Sequence, residues 1–257
     1  MILHQLIAYI NYWLRQVDEH SLHSPFVYRL YTELIKGPLA PDQEIEALRN
    51  TLKKDQTTIS LTDLGAGSRV SSKKERRIAS IAKFSASPPK FSIFLQKLIE
   101  LSNAKRVWEL GTSLGLNTLY MAKAKEVEVV SFEGDPALAH LAAQHFELTN
   151  SHNITLVQGD IDQTLPIALQ STDTIDLVYL DANHSYAATL NYVQQLLPHM
   201  SPNGILVLDD IHWSKGMERA WKQIRKEQHH SLSIDLFDAG LLFLNKDLPQ
   251  ADYILKF

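Results

Sequence analysis

The 257-residue chain contains no cysteine, which excludes disulfides, iron–sulfur clusters and cysteine-ligated zinc and gives no sign of an oxidising compartment. It also lacks a basic excess. Twenty-five lysines and arginines stand against 29 aspartates and glutamates, a formal net charge of -4, whereas a dedicated nucleic-acid binder carries clustered positive charge. No apolar run is long enough for a membrane span. The opening Met1 to Ile10 is apolar but has neither the basic flank nor the small-residue cleavage site of a signal peptide, and polar residues interrupt it early. A cytoplasmic protein is expected, with no nucleic acid and no membrane as partner. There is no internal repeat and no low-complexity tract. What remains, 45% hydrophobic and 21% charged, is an ordinary globular composition with room for one sizeable domain and an appended piece.

The chain reads in two rhythms. Up to about residue 105 the pattern is mainly helical. Ile2, Leu6, Tyr9, Ile10, Trp13, Leu14 and Val17 recur at helical spacing, predicting an amphipathic helix. Ser24-Pro25 suits an N-cap and first turn of a second helix, stopped by Gly37-Pro38. A third starts at Pro41-Asp42, a short β-like run covers 57–61, and the basic residues 73–77 lead into another helix, followed after Ser87-Pro88-Pro89 by one more to about Leu101. From Lys105 onward strands at 106–110, 127–132, 154–158, 175–180 and 204–209 alternate with helices at 115–124, 136–149, 162–169 and 185–199. That alternation predicts an α/β fold, a doubly wound, mainly parallel sheet with helices on both faces. After a helix at about 214–228, Leu232 to Phe237 and Leu241 to Asn245 flank Asp238-Ala-Gly240 and predict a closing hairpin with an antiparallel last strand.

In such a sheet, ligands bind beyond the carboxyl ends of the strands. Those ends carry Glu109, Glu133, Asp160, Asp181 and the pair Asp209-Asp210. A purely structural sheet has no use for so many acids, which would repel one another. The first strand opens into Glu109-Leu-Gly-Thr-Ser-Leu-Gly115, a strand–turn–helix layout that points backbone N–H groups at a ligand. Glu133 follows Glu109 at a spacing that suits an acid on ribose hydroxyls. No Gly-x-Gly-x-x-Gly triplet is present to cradle a pyrophosphate, so a nucleoside cofactor without one fits better. Gly111-Thr-Ser-Leu-Gly115 also satisfies the Gly-x-Ser-x-Gly elbow of serine hydrolases, but the mainly helical segment upstream offers no glycine-rich oxyanion loop. Asp63-Leu-Gly-Ala-Gly-Ser68 mimics a cofactor turn without the following βαβ unit. The cluster Lys73-Lys74-Glu75-Arg76-Arg77 reads as a solvated helix face or a contact for an acidic substrate.

Glu109-Leu-Gly-Thr-Ser-Leu-Gly115, Phe132-Glu-Gly-Asp135, Gly159-Asp160, Asp181-Ala-Asn-His184 and Leu208-Asp-Asp210, in that order, resemble the successive motifs of class I S-adenosylmethionine-dependent methyltransferases. The closest subgroup is the O-methyltransferases similar to the catechol and caffeoyl-CoA enzymes. The resemblance covers roughly residues 90–257. It implies a seven-stranded mixed sheet of Rossmann-like type, with residues 1–90 as a mainly helical extension or lid and 91–257 as the cofactor-binding domain. It implies S-adenosylmethionine as cofactor, with Glu109, Gly111, Thr112, Ser113, Gly115, Asn117, Glu133, Gly134, Asp160, Ile161 and Asp181 around it. In that scheme Gly111 and Gly115 admit the backbone, Thr112, Ser113 and Asn117 bond the methionine carboxylate, Glu133 holds the ribose, and Asp160 the adenine amino group beside Ile161.

Asp181, Asp209 and Asp210 stand where that subgroup binds Mg²⁺ or another divalent cation, although the subgroup more often has Asn at the position of Asp210. Hard oxygen donors suit such an ion; the plainer reading is an Asp pair capping the next helix. His184, with Asp181, falls where related enzymes place a catalytic base. His212 is a weaker candidate that could instead contact substrate or cap a helix, and Trp213 and Trp221 read as core or lid. The expected function is S-adenosylmethionine-dependent O-methylation of a small-molecule hydroxyl, assisted by a divalent metal. A non-catalytic cofactor-binding module and, less well supported, a serine hydrolase or a nucleic-acid methyltransferase stay open, as does a homodimer.

Overall fold

The computed structural model describes residues 2–61, 75–227 and 229–257. The Asp63–Ser68 turn and Lys73-Lys74 lie outside them. The fold is α/β, with a mixed, mostly parallel sheet of eight strands and helices between them. The chain forms two compact units, Leu39–Ser171 and Met1–Pro38 with Thr172–Phe257.

The first unit begins with helix α3 (Gln43–Leu52), following α1 (Ile2–Arg15) and α2 (Pro25–Leu30) of the other unit. Asp42 caps α3, its carboxylate accepting the N–H groups of Glu44 and Ile45 at 3.0 Å each, as the Pro-Asp pair predicts. Strands β1 (Thr58–Ser60) and β2 (Glu75–Arg77) pair antiparallel. Residues 75–77 are therefore strand where the sequence predicts the approach to a helix. In three residues, pairing with β1 outweighs propensity. Helices α4 (Ile78–Phe84) and α5 (Pro89–Ser102) follow, then β3 (Arg106–Leu110), α6 (Leu116–Ala122), β4 (Glu128–Glu133), α7 (Pro136–Leu148), β5 (Ile154–Gln158) and α8 (Ile161–Leu169). Strands β3, β4 and β5 run parallel, with Glu109 opposite Ser131 and Glu133 opposite Gln158.

Ile45, Leu48, Ile81, Ile93, Leu119 and Phe146, from α3 to α7, share one apolar core. Inside it lies a charge. Arg49 is 1% exposed, and a buried guanidinium persists only if its donors are met. Its donors go to Glu46 (3.1 Å), the Ser87 carbonyl (2.8 Å) and Ser92 Oγ (3.4 Å). Glu46 also accepts the Tyr120 hydroxyl at 2.9 Å, so helices α3, α5 and α6 are tied by one polar network.

The second unit holds α1, α2, a π-helical turn (Tyr31–Ile35) continuing α2, and strands β6 (Ile175–Leu180), β7 (Met200–Asp209), β8 (Leu232–Asp235), β9 (Ala239–Phe243) and β10 (Ala251–Ile254), with helices α9 (Tyr186–Leu196) and α10 (Lys215–Lys226). The expected hairpin is present: β9 runs antiparallel to both β8 and β7. The strand that the sequence does not announce is β10, parallel to β8 at the edge; with only four half-covered residues it has no clean alternation to read. The N-terminal segment is fastened to this end. The Tyr12 hydroxyl donates to the Leu255 carbonyl at 2.6 Å, and Val17 N–H to the Ile254 carbonyl at 2.8 Å. The predicted amphipathic helix is present as α1, and most of its apolar stripe is open. Ala8 and Tyr12 are the buried positions, while Leu6, Ile10, Trp13 and Leu14 are exposed.

Gly115 sits left-handed at φ +76°, and a Cβ there would lie 2.6 Å from Cε1 of Phe146 on α7. Its lack of a side chain serves close packing of the turn on that helix. Gly115→Ala combines an L-residue in a left-handed conformation with overpacking and is expected to cost about 2–4 kcal/mol, read as a lowered Tm of a protein that still folds.

Candidate functional site

Within the Leu39–Ser171 unit, the turn after β3 is shaped by two buried acids. The amide hydrogens of Gly111 and Thr112 both reach the Phe132 carbonyl, at 2.9 and 3.1 Å. Gly111 at φ 107° and Ser113 at φ 52° then turn the chain through left-handed conformations. This frees the Ser113 N–H to donate to Glu133 Oε2 at 2.7 Å, while Glu133 Oε1 accepts the Asp135 N–H at 2.8 Å. Burial pushes the Glu133 carboxyl up from its ordinary value, and the N–H donors of Asp135, Ser113 and Gly134 oppose that rise.

Glu109 is buried more completely, at 1% exposure. Ser131, opposite it on β4, donates to Oε2 at 2.5 Å, and the Thr118 hydroxyl of α6 donates to the same oxygen. Ser131 also pairs with Thr112 Oγ1. Oε1 of Glu109 is buried with no hydrogen-bond partner. Burial drives this carboxyl up to about 8, and the charge of Glu133 pushes the same way, against the Ser131 and Thr118 hydrogen bonds. A buried oxygen without a partner is costly.

The remaining residues of this group divide. Asn117 is held by side chains, accepting from Ser92 Oγ at 2.6 Å and donating to Ser87 Oγ at 2.8 Å, which joins the turn to the Arg49 network. Asp160 caps α8, accepting the Asp162 N–H at 3.0 Å, with Ile161 buried behind it. Gly159 at φ 133° brings its N–H to the Glu133 carbonyl at 2.9 Å. Gly134 stands between the two ends of the Glu133 clamp.

In the other unit, Asp181, His184, Asp209 and Asp210 are brought together around a residue that the sequence reading passed over. The Tyr179 hydroxyl lies 2.8 Å from Asp209 Oδ2 and 3.2 Å from Asp181 Oδ2. Alternation on β6 puts residues 179 and 181 on one face, and that periodicity was the available signal. Asp209 is driven up to about 7 by burial first and by the charge of Asp210 second, with the Tyr179 hydroxyl working against them. His184 follows Asn183, left-handed at φ 46°, and its ring lies between carboxylates: Nε2 is 3.4 Å from Asp181 Oδ1 and Nδ1 is 3.8 Å from Asp210 Oδ2. Asp210 is left-handed too, at φ 56°, a conformation that Asp and Asn tolerate better than other side chains.

The Asp pair does not cap α10; Ser214 does, accepting the Met217 N–H at 3.1 Å. His212 is bound to Asp235 at 2.8 Å and stacks on Phe237. Trp221 is core, against Gly240. Among the described residues no group of three or more His, Asp or Glu is arranged to hold a metal ion. Asp209 is hydrogen-bonded to Tyr179 and Asp181, and Asp210 turns toward His184, so Asp181, Asp209 and Asp210 do not fit a divalent cation in this arrangement.

The sheet with its antiparallel β9, and the Glu-x-Gly turn closed by an acid on the next strand, agree with the resemblance to class I S-adenosylmethionine-dependent methyltransferases. Residues 108–211 match a family described as "Methyltransferase domain". The chain is 28% identical over 122 residues to the catechol O-methyltransferase of Niastella koreensis, covering 46% of this chain and 54% of the relative; it thus spans about half the length of that curated relative. Among solved structures, the fold is similar to the SAH-bound methyltransferase PaMTH1 of Podospora anserina, with a TM-score of 0.64, 15% identity, and 88% and 97% of the two chains covered. It is also similar to an O-methyltransferase of Bacillus cereus in complex with SAH, with a TM-score of 0.60, 18% identity, and coverage of 86% and 97%.

Glu109 yields a pH test. The unfolded chain releases its proton near the ordinary 4.5 and the folded protein near 8, so between those values only the folded state keeps it. Its contribution is complete below the lower value and is lost as pH rises through the upper one. Glu109→Gln should flatten the fall in Tm between about pH 5 and pH 8. An unaltered slope would show that Glu109 does not carry it.

Proposed function

We propose that the chain is an S-adenosylmethionine-dependent O-methyltransferase acting on a hydroxyl of a small molecule. The observation that carries this reading is the clamp on Glu133. Its carboxylate is buried beside the glycine turn, and the backbone N–H groups of Ser113, Asp135 and Gly134 converge on it. A carboxylate has about four acceptor positions, so about one is left for a hydroxyl such as that of a nucleoside's ribose. Glu109, Gly111, Thr112, Ser113, Gly115, Asn117, Gly134, Asp160 and Ile161 are proposed to complete the cofactor's surroundings. The match of residues 108–211 to a methyltransferase domain supports the same assignment, and the catechol O-methyltransferase relative supports a hydroxyl acceptor. Residues 1–90 are proposed as an extension to a cofactor-binding domain of 91–257.

His184 is proposed as the base that takes the hydroxyl proton as the methyl group leaves sulfur. Asp181 and Asp210 face its two ring nitrogens, so the imidazolium formed has counter-ions in place. The resemblance also implies a divalent cation at Asp181, Asp209 and Asp210, but the donors do not fit one as they are arranged, and the proposed proton transfer uses His184 without it.

Titration calorimetry is expected to show S-adenosylmethionine binding, weakened at least tenfold (about 1.4 kcal/mol) by Glu133→Ala. Binding of NAD without binding of the methyl donor would overturn the proposal. Against a panel of hydroxyl acceptors, His184→Ala should lower kcat by roughly a hundredfold or more while leaving cofactor affinity within about twofold. Turnover is expected to survive EDTA. Its abolition, with rescue by Mg²⁺, would assign the acids to a metal after all.

A further inference from the structure

Helix α1 carries an apolar face that the other described residues leave uncovered. Leu3, Leu6, Ile7, Ile10, Trp13 and Leu14 are each 46–69% exposed. At 3.6 residues per turn they fall within an arc of about 120° and a length of about 16 Å. The helix is held from the other side, where Ala8 and Tyr12 are buried and Gln5 donates to the Trp213 carbonyl at 3.1 Å. A water-exposed stripe of six large apolar side chains is not the ordinary scatter of a soluble surface; contiguous patches of this kind mark interaction sites.

We infer that this face of α1 is a homodimer interface, packing against the same face of a second copy of the chain. The spacing of Leu3, Leu6, Ile10 and Trp13 is the alternating three-and-four step by which two equal helices interlock, with Ile7 and Leu14 beside the seam. The stripe holds no charge, and Arg15 is the sole lysine or arginine of the helix, so a two-fold axis brings no like charges together. Six side chains that each present about 100 Å² amount to roughly 600 Å² per copy. Flanking polar residues such as Asn11 extend that toward the ~800 Å² per partner of a standard interface. A membrane surface is the other natural occupant of an amphipathic helix, but interfacial helices carry lysine and arginine on the polar face. Here that face is His4, Gln5, Asn11 and Arg15, on a chain of net charge -4. The inference is independent of the reaction proposed above.

Sedimentation equilibrium of the full chain from about 1 to 100 µM tests it, spanning the affinity range of interfaces this size. The wild type is expected at twice the 29.1 kDa monomer mass, and Leu6→Asp with Ile10→Asp at the monomer mass with an unchanged melting curve. Leu3→Gln with Leu14→Gln, a milder change at the ends of the same stripe, should raise the dimer dissociation constant at least tenfold. A monomeric wild type over the whole range overturns the inference, as does a dimer that both double variants leave intact. Monomers that float with phosphatidylcholine vesicles would give the face to a membrane instead.

Discussion

A buried carboxylate must find donors or lose its charge, and the turn after β3 is built on that constraint. Glu133 obtains its donors from backbone amides on both sides, Ser113 and Asp135, which obliges Ser113 to adopt a left-handed conformation and fixes the course of the chain from β3 into α6. Glu109, one strand over, meets the same constraint differently. Two hydroxyls serve one oxygen, the other is unsatisfied, and the group responds by holding its proton. Burial thus raises both acids, opposed at Glu133 by amide hydrogens and at Glu109 by hydroxyls.

The same logic extends back into the first helices of the Leu39–Ser171 unit. Asn117, two residues past the second glycine of the turn, is gripped by Ser87 and Ser92, and these in turn by the buried Arg49. The position of the turn is therefore set by α3 and α5 as well as by the strands. In the other unit Tyr179 has the corresponding part, joined to both Asp181 and Asp209, with His184 between Asp181 and Asp210.

Much of this was legible beforehand. Strand–helix alternation located β3 to β7 to within a few residues because long periodic segments are strong signals, and the acids at strand ends stood out because a sheet alone has no use for them. Glu109, Glu133 and His184 could be singled out by position. What stayed hidden depends on neighbours across strands and helices. The pairing of Ser131 with Glu109 needs the β3–β4 register, and the hold of Ser87 on Asn117 needs α5 to be docked. The outward orientation of α1 was hidden for the same reason: periodicity shows that a helix has an apolar face but not what covers it.

The fastening of α1 to the far end of the chain bears on the order in which the protein is made. The Leu39–Ser171 unit is continuous in sequence, and all of it has been synthesised before the last strands exist. The other unit is interrupted: Tyr12 finds its partner at Leu255, and Val17 its partner at Ile254, only after more than 200 intervening residues have been made. Contacts that join opposite ends of a chain carry the largest loop-closure cost and form late. Until those residues are made, then, the nascent chain carries an apolar helix without its native support, a natural point for a chaperone to engage.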